Sequence, residues 1–188
     1  LSPYLLSEAR LIAAGERLDQ VISFEQANGE DLPYTDESFD MIISCTVMEE
    51  GDANKMIAEL VRVTKPGGRI LIVVRATDVD WWVNIPLSLD RQREANSLGP
   101  KVGAGVGPGG CADASLYQRI IAAGLRPDLM GPRFAFYRDD DRMSDVLERL
   151  GAALPAAAKS DFQKARDEAR EAGTICVGEP FHCAVITR

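Results

Sequence analysis

Between Phe24 and Val74 the apolar residues change period three times, and no all-helical or all-strand chain can satisfy that pattern. Phe39–Ser44 (FDMIIS) is a short, nearly continuous apolar run, which predicts a parallel strand covered on both faces. Asp52 then offers a carboxylate to cap a helix whose stripe is Met56, Ile57, Leu60 and Val61. Lys65-Pro66-Gly67-Gly68 ends it, because proline cannot continue a helix and the glycines allow a tight reversal into a strand at Arg69–Val74. A strand at about Val21–Ala27 precedes this unit, and the whole predicts an α/β fold.

The rest of the chain is read from local signals. Ser2 and Pro3 start a helix carrying Leu5, Leu6, Ala9, Ile12 and Ala13 up to Gly15. Asp113 caps a helix with Leu116, Ile120 and Ile121 that Gly124 closes, and Leu125–Tyr137 is extended. Met143, Val146, Leu147 and Leu150 mark an amphipathic helix limited by Pro155, and Ser160-Asp-Phe-Gln163 reads as a capping box for a further helix through about Glu171. Thr174–Thr187 reads as one kinked strand or a strand pair around Gly178 and Pro180.

Composition narrows the function classes. The 188 residues suit one domain, and a formal net charge of −8 leaves no basic surface to release counterions from a nucleic-acid backbone. No apolar run reaches the roughly 18 residues of a membrane span, and no charged-then-apolar leader opens the chain, so the expectation is a soluble cytoplasmic protein. The four cysteines, Cys45, Cys111, Cys176 and Cys183, form no CxxC pair and are expected reduced and buried. His182 is the one histidine, so a multi-histidine metal site is excluded and no metal is expected.

Three stretches together resemble one family. The turn NGEDLPYTDESFD, the strand MIIS and the helix-turn-strand AELVRVTKPGGRILIVV are similar, in order and spacing, to the cofactor-binding core of class I S-adenosylmethionine-dependent methyltransferases, in particular the type 11 group. The resemblance implies a Rossmann-like sheet flanked by helices, with a C-terminal antiparallel strand pair and a helical insertion at 141–172 before the last strand. It also implies that the first two strands and the glycine-rich loop lie before residue 1, and Leu1 matches only the end of the segment that follows the family's second strand. The Phe39 strand is then expected to have an unpaired apolar edge, which invites aggregation or pairing with another chain such as a homodimer partner, and to make the isolated chain fold poorly.

The resemblance assigns residues as well. Asn28-Gly29 stand where the family has Asp-Ala against the adenine, with Glu30 next; an amide oxygen keeps the acceptor without the charge. The plain alternative is a strand-ending turn, which Asn and Gly favour in any case. Cys45 and Thr46, at the carboxyl end of a strand, are where the methionine part of the cofactor would pass. The His that the family often carries near Glu50 is missing. Trp81 and Trp82 could wall a pocket for a flat or apolar acceptor or simply pack a loop, and Asp78 and Asp80 could act as bases. His182 is a candidate substrate-binding base, set against a satisfied structural histidine in the apolar strand FHCAVI. The cluster Gly103-Ala-Gly105-Val-Gly107-Pro-Gly109-Gly110 lacks the preceding strand that a cofactor loop needs, and reads instead as a mobile connection or lid.

The expected function is therefore methyl transfer from S-adenosylmethionine to a small molecule, by in-line displacement that requires no conspicuous catalytic triad. The alternative is a non-catalytic methyltransferase-like domain or partner subunit. A nucleic-acid methyltransferase would carry Asn or Asp before two prolines and an aromatic where this chain has Ser44-Cys-Thr-Val47, and a nicotinamide dehydrogenase would need a dinucleotide fingerprint that is absent.

Overall fold

The computed structural model describes residues 3–103, 105–138 and 141–188. The elements, in order, are α1 (Pro3–Gly15), β1 (Phe39–Cys45), α2 (Ala53–Val63), β2 (Thr64–Arg75), β3 (Trp82–Asn84), α3 (Leu89–Val102), α4 (Ser115–Ala122), β4 (Pro127–Tyr137), α5 (Asp141–Ala153), α6 (Ala156–Glu171) and β5 (Cys176–Thr187). They build one open, mixed sheet. β1 runs parallel to β2, β2 is antiparallel to β5, β3 pairs the start of β5, and β4 pairs β5 along nearly its whole length.

The β1–α2–β2 crossover forms as its sequence dictates. Asp52 Oδ1 accepts from the backbone N–H of Asn54 (3.0 Å) and Lys55 (3.2 Å), satisfying two first-turn donors that have no partner within the helix. Met56, Ile57 and Leu60 bury against Ile70, Ile72 and Val74 of β2, with the partly buried Val61 packed beside them and Leu116 and Ile120 of α4 and Ala184 and Ile186 of β5 completing this core. α2 passes directly into β2 at Thr64, earlier than the expected strand start at Arg69; Gly67 takes φ 77 inside β2, where the register with β1 shifts, and its N–H donates to the carbonyl of Arg188. A second core packs α5 and α6 on β3 and the start of β5 through Met143, Leu147, Leu150, Phe162, Val83 and Val177.

Four expectations need correction. The segment 22–27 is irregular rather than a strand, because a strand needs a neighbour to take its hydrogen bonds and, among the described residues, β1 pairs only with β2. β1 is not covered on both faces: Met41 is 55% and Ile43 is 59% exposed. Ile43, Leu71, Val185 and Leu129 are register partners, so they form one apolar row across β1, β2, β5 and β4 on that open face. Cys45 lies on the same face and is exposed, unlike the buried Cys111. Finally, α6 starts at Ala156 after Pro155, so Ser160 sits inside the helix and caps nothing. Its three leading alanines are strong helix formers and carry the helix upstream of the serine.

β5 is one continuous strand across Gly178 and Pro180. Ser2 and Leu1, assigned to a helix cap and to the cofactor, lie outside the described residues.

Candidate functional site

Two clefts open at the carboxyl ends of β1 and β2, where ligands bind in open α/β sheets. The larger, of 1090 Å³, is lined by Asn28, Gly29, Glu30, Thr46, Glu50 and Met56 among others. The second, of 460 Å³, is lined by Cys45, Thr46, Glu50, Arg75, Trp81 and Arg149, with Tyr137, Arg142, Glu179 and Phe181. Thr46 and Glu50 belong to both, so the clefts meet at the turn that leaves β1.

That turn is built for close approach. Thr46 holds φ 49, unusual for a residue with a branched side chain, and its N–H donates to Val73 O at 2.8 Å. Backbone strain of this kind costs about 1–3 kcal/mol and persists where surrounding structure fixes it. The fixing comes from the glycine cluster. Gly107 N donates to Glu49 O (2.7 Å) and Cys111 N to Met48 O (2.9 Å), while Ala53 N donates to Gly109 O (3.2 Å). A Cβ on Gly110 would stand 2.6 Å from Glu49 O, so the glycine is what lets the two backbones lie against each other. This segment is neither a phosphate loop nor, over residues 105–111, a free connection: α3 precedes it, and its backbone braces the β1–α2 turn.

The walls of the larger cleft are tied to α2. Asn28 Oδ1 accepts from Glu30 N (3.0 Å), closing a tight turn, and still has acceptor capacity and its amide donors. Glu30 does not simply face solvent: its Oε1 accepts from Asp52 N (2.9 Å) and Oε2 meets Lys55 Nζ at 3.4 Å. Below them Arg62 gathers the 32–36 segment, donating to Leu32 O, Tyr34 O and Asp36 while pairing with Glu59. Hydrogen bonds from Arg62 and then from Leu32 N–H hold the Glu59 carboxyl down at about 2.

Buried charge concentrates behind the second cleft. Glu49, 1% exposed, accepts from Arg75 N (2.8 Å) and faces Arg75 Nε at 3.6 Å; its buried Oε2 has no hydrogen-bond partner among the described residues. Glu179, also buried, pairs with Arg142 at 2.9 Å, and burial followed by the Glu179 charge pushes the Tyr137 hydroxyl upward. Sequence reasoning missed Arg75, Arg142, Arg149 and Glu179; the one available signal was a carboxylate inside the apolar strand CVGEPFHCAVI.

The residues singled out from sequence therefore divide. Asn28, Gly29, Glu30 and Thr46 come together on the larger cleft, and Cys45 and Trp81 line the second. Trp82 faces a third cleft with Asn84 and Phe136, against whose ring it packs edge-on at 5.3 Å. His182 lines none of these three. It is buried on the face of β5 opposite Phe181, with Nε2 2.6 Å from Asp78 Oδ1. Burial raises the Asp78 carboxyl, but bonds from His182 and Ala114 N–H outweigh that and hold it below its usual range. The pair thus clamps the β2–β3 loop to β5 and to the start of α4. Among the described residues no group of three or more His, Cys, Asp or Glu side chains could hold a metal, and no helix is long and apolar enough to cross a membrane.

The fold is shared with solved Rossmann-like methyltransferases. Geranyl diphosphate C-methyltransferase from Streptomyces coelicolor A3(2), solved with S-adenosyl-L-homocysteine, superposes with a TM-score of 0.51 at 15% identity, over 100% of this chain and 62% of that one. The sequence profile of the methyltransferase domain matches residues 1–72 of this chain. Tocopherol O-methyltransferase of Arabidopsis thaliana is 43% identical over 77 residues, covering 39% of this chain and 21% of that protein. A rice protein named as a probable tocopherol O-methyltransferase is 35% identical over 170 residues, covering 85% of this chain and 40% of its own length. The chain thus spans less than half the length of these relatives.

Proposed function

We propose that this chain forms the donor and acceptor clefts of an S-adenosylmethionine-dependent methyltransferase acting on a small molecule. The observation that carries the reading is the junction of the two clefts at Thr46 and Glu50, because an in-line transfer needs donor and acceptor to meet end to end. The larger cleft, at 1090 Å³, lies just above the range of about 300–1,000 Å³ that small-molecule sites occupy and so has room for a nucleoside, and Asn28 supplies both an acceptor and donors for a nucleobase edge. S-adenosylmethionine supplies an activated methyl on a sulfonium, and transfer leaves the electron pair of the broken carbon–sulfur bond on sulfur.

The chain's own residues do the rest. Asn28 and Gly29 orient the nucleoside end, with Glu30 fixing their turn against α2. Trp81, Tyr137 and Phe181 hold the acceptor and exclude water from the junction. Glu50, the carboxylate common to both clefts, takes the proton when the acceptor atom is a hydroxyl. The Arabidopsis relative, named as a tocopherol O-methyltransferase, supports an oxygen acceptor.

The test is calorimetric titration of sinefungin, a stable analogue of the donor, into the chain and into Asn28→Ala. Binding that weakens about tenfold in the variant is expected from the loss of one hydrogen bond of ~1.4 kcal/mol. Absence of binding to the unmodified chain, or equal binding to both, removes the donor assignment.

A further inference from the structure

Against a formal net charge of −8, three arginines converge on the second cleft. Their partners differ in kind. Arg142 donates to Glu179, whose side chain is only 4% exposed, and its guanidinium lies 5.8 Å over the Tyr137 ring. Arg75 lies along buried Glu49 and donates to Gly105 O at 3.1 Å. Both cations are thus matched to carboxylates that belong to the protein interior.

Arg149 is held otherwise. Its Nη2 meets Asp145, one turn earlier on α5, at 2.9 Å, with side chains 36% and 60% exposed. An exposed pair of this spacing contributes little and exchanges readily with other anions. Nη1 donates to Val102 O at 3.1 Å, and among the described residues the buried Nε has no hydrogen-bond partner, an exception in folded proteins that calls for an explanation. A guanidinium with a weakly held fork recognises carboxylates and phosphates through paired N–H bonds. Around it the cleft offers aromatic walls from Trp81, Tyr137 and Phe181.

We propose that the second cleft selects an aromatic anion: an acceptor with a flat ring, seated among Trp81, Tyr137 and Phe181, and a carboxylate or phosphate taken up by Arg149. This rests on the methyltransferase reading for what happens to the bound molecule, but not for its binding. Asp145 is displaced from Arg149 as the ligand's anionic group arrives, while Arg142 and Glu179 stay paired as the cleft's fixed floor.

The experiment uses the full chain carrying Trp82→Phe, so that Trp81 is the single indole and reports the cleft. Three probes are titrated against its fluorescence: 4-hydroxybenzoate, phenyl phosphate and the uncharged methyl 4-hydroxybenzoate. The anions are expected to bind about tenfold more tightly than the ester, a preference that added salt erodes for the anions alone. The tighter of the two anions identifies the group recognised. Arg149→Gln, with an unchanged thermal transition, should abolish the preference without altering ester binding. Equal binding of ester and anions, a salt-independent preference, or a preference that survives Arg149→Gln overturns the inference. Sinefungin titrated in parallel separates the two ideas: anion selection without sinefungin binding leaves this subsite standing and removes the enzyme reading, and the reverse result does the opposite.

Discussion

Substituting Gly110 by alanine should unseat the brace behind the turn shared by both clefts. The added Cβ would stand 2.6 Å from Glu49 O, 2.8 Å from Val106 Cγ1 and 3.0 Å from Glu49 C. Backbone atoms cannot swing aside as a flexible side chain can, so the segment must retreat, stretching the bonds from Gly107 N to Glu49 O and from Cys111 N to Met48 O. Each of those is worth about 1 kcal/mol net, and overpacking adds roughly 1 kcal/mol, for a total of about 3 kcal/mol. With a urea slope of about 2 kcal/mol/M the unfolding midpoint drops by roughly 1.5 M. Gly105 is the internal control: nothing lies within 4 Å of a Cβ there, so Gly105→Ala should stay within about 0.5 kcal/mol of the parent. Urea titrations followed by tryptophan fluorescence compare all three proteins. Equal midpoints for the two variants would refute the close-approach argument.

Two further outcomes follow from the same geometry. Gly99→Ala would drive a Cβ to 2.0 Å from Trp81 Cγ, so the indole must leave its seat; a red-shifted emission spectrum and a stability loss of about 1–3 kcal/mol are expected, and an unshifted spectrum contradicts this packing. Glu59, held at about 2 against a reference of 4.5, contributes stability that is present above the unfolded value and disappears as pH falls toward about 2. Glu59→Gln should therefore flatten the acid limb of the stability–pH curve between those values, as read by circular dichroism; an unchanged limb assigns the acid sensitivity elsewhere.

Much of the crossover was legible because its signals are local. Asp52 and the Met56–Leu60 stripe each act within a turn or two of themselves and appear where their chemistry directs, whereas α2 already ends at Val63 and Pro66-Gly67-Gly68 fall inside β2, which starts at Thr64 and not at Arg69. Strand formation at residues 22–27 was not decidable in that way, since a strand exists only through its neighbour's hydrogen bonds. The second cleft was hidden for a related reason. Arg75, Arg142 and Glu179 are far apart in the chain and meet through the β2–β5 register and the seating of α5. The pairing of Asp78 with His182 is likewise set by folding, not spacing, and turns a candidate base into a clamp.

The row of Ile43, Leu71, Val185 and Leu129 has a practical side. Side chains of this type left in water lower the free energy of any state that covers them, whether by self-association or by contact with a resin, a micelle or a co-purifying polypeptide. Dilution series, detergent titration and sedimentation at several protein concentrations are thus part of characterising this chain, because its measured size and ligand affinity will depend on what company the sheet keeps.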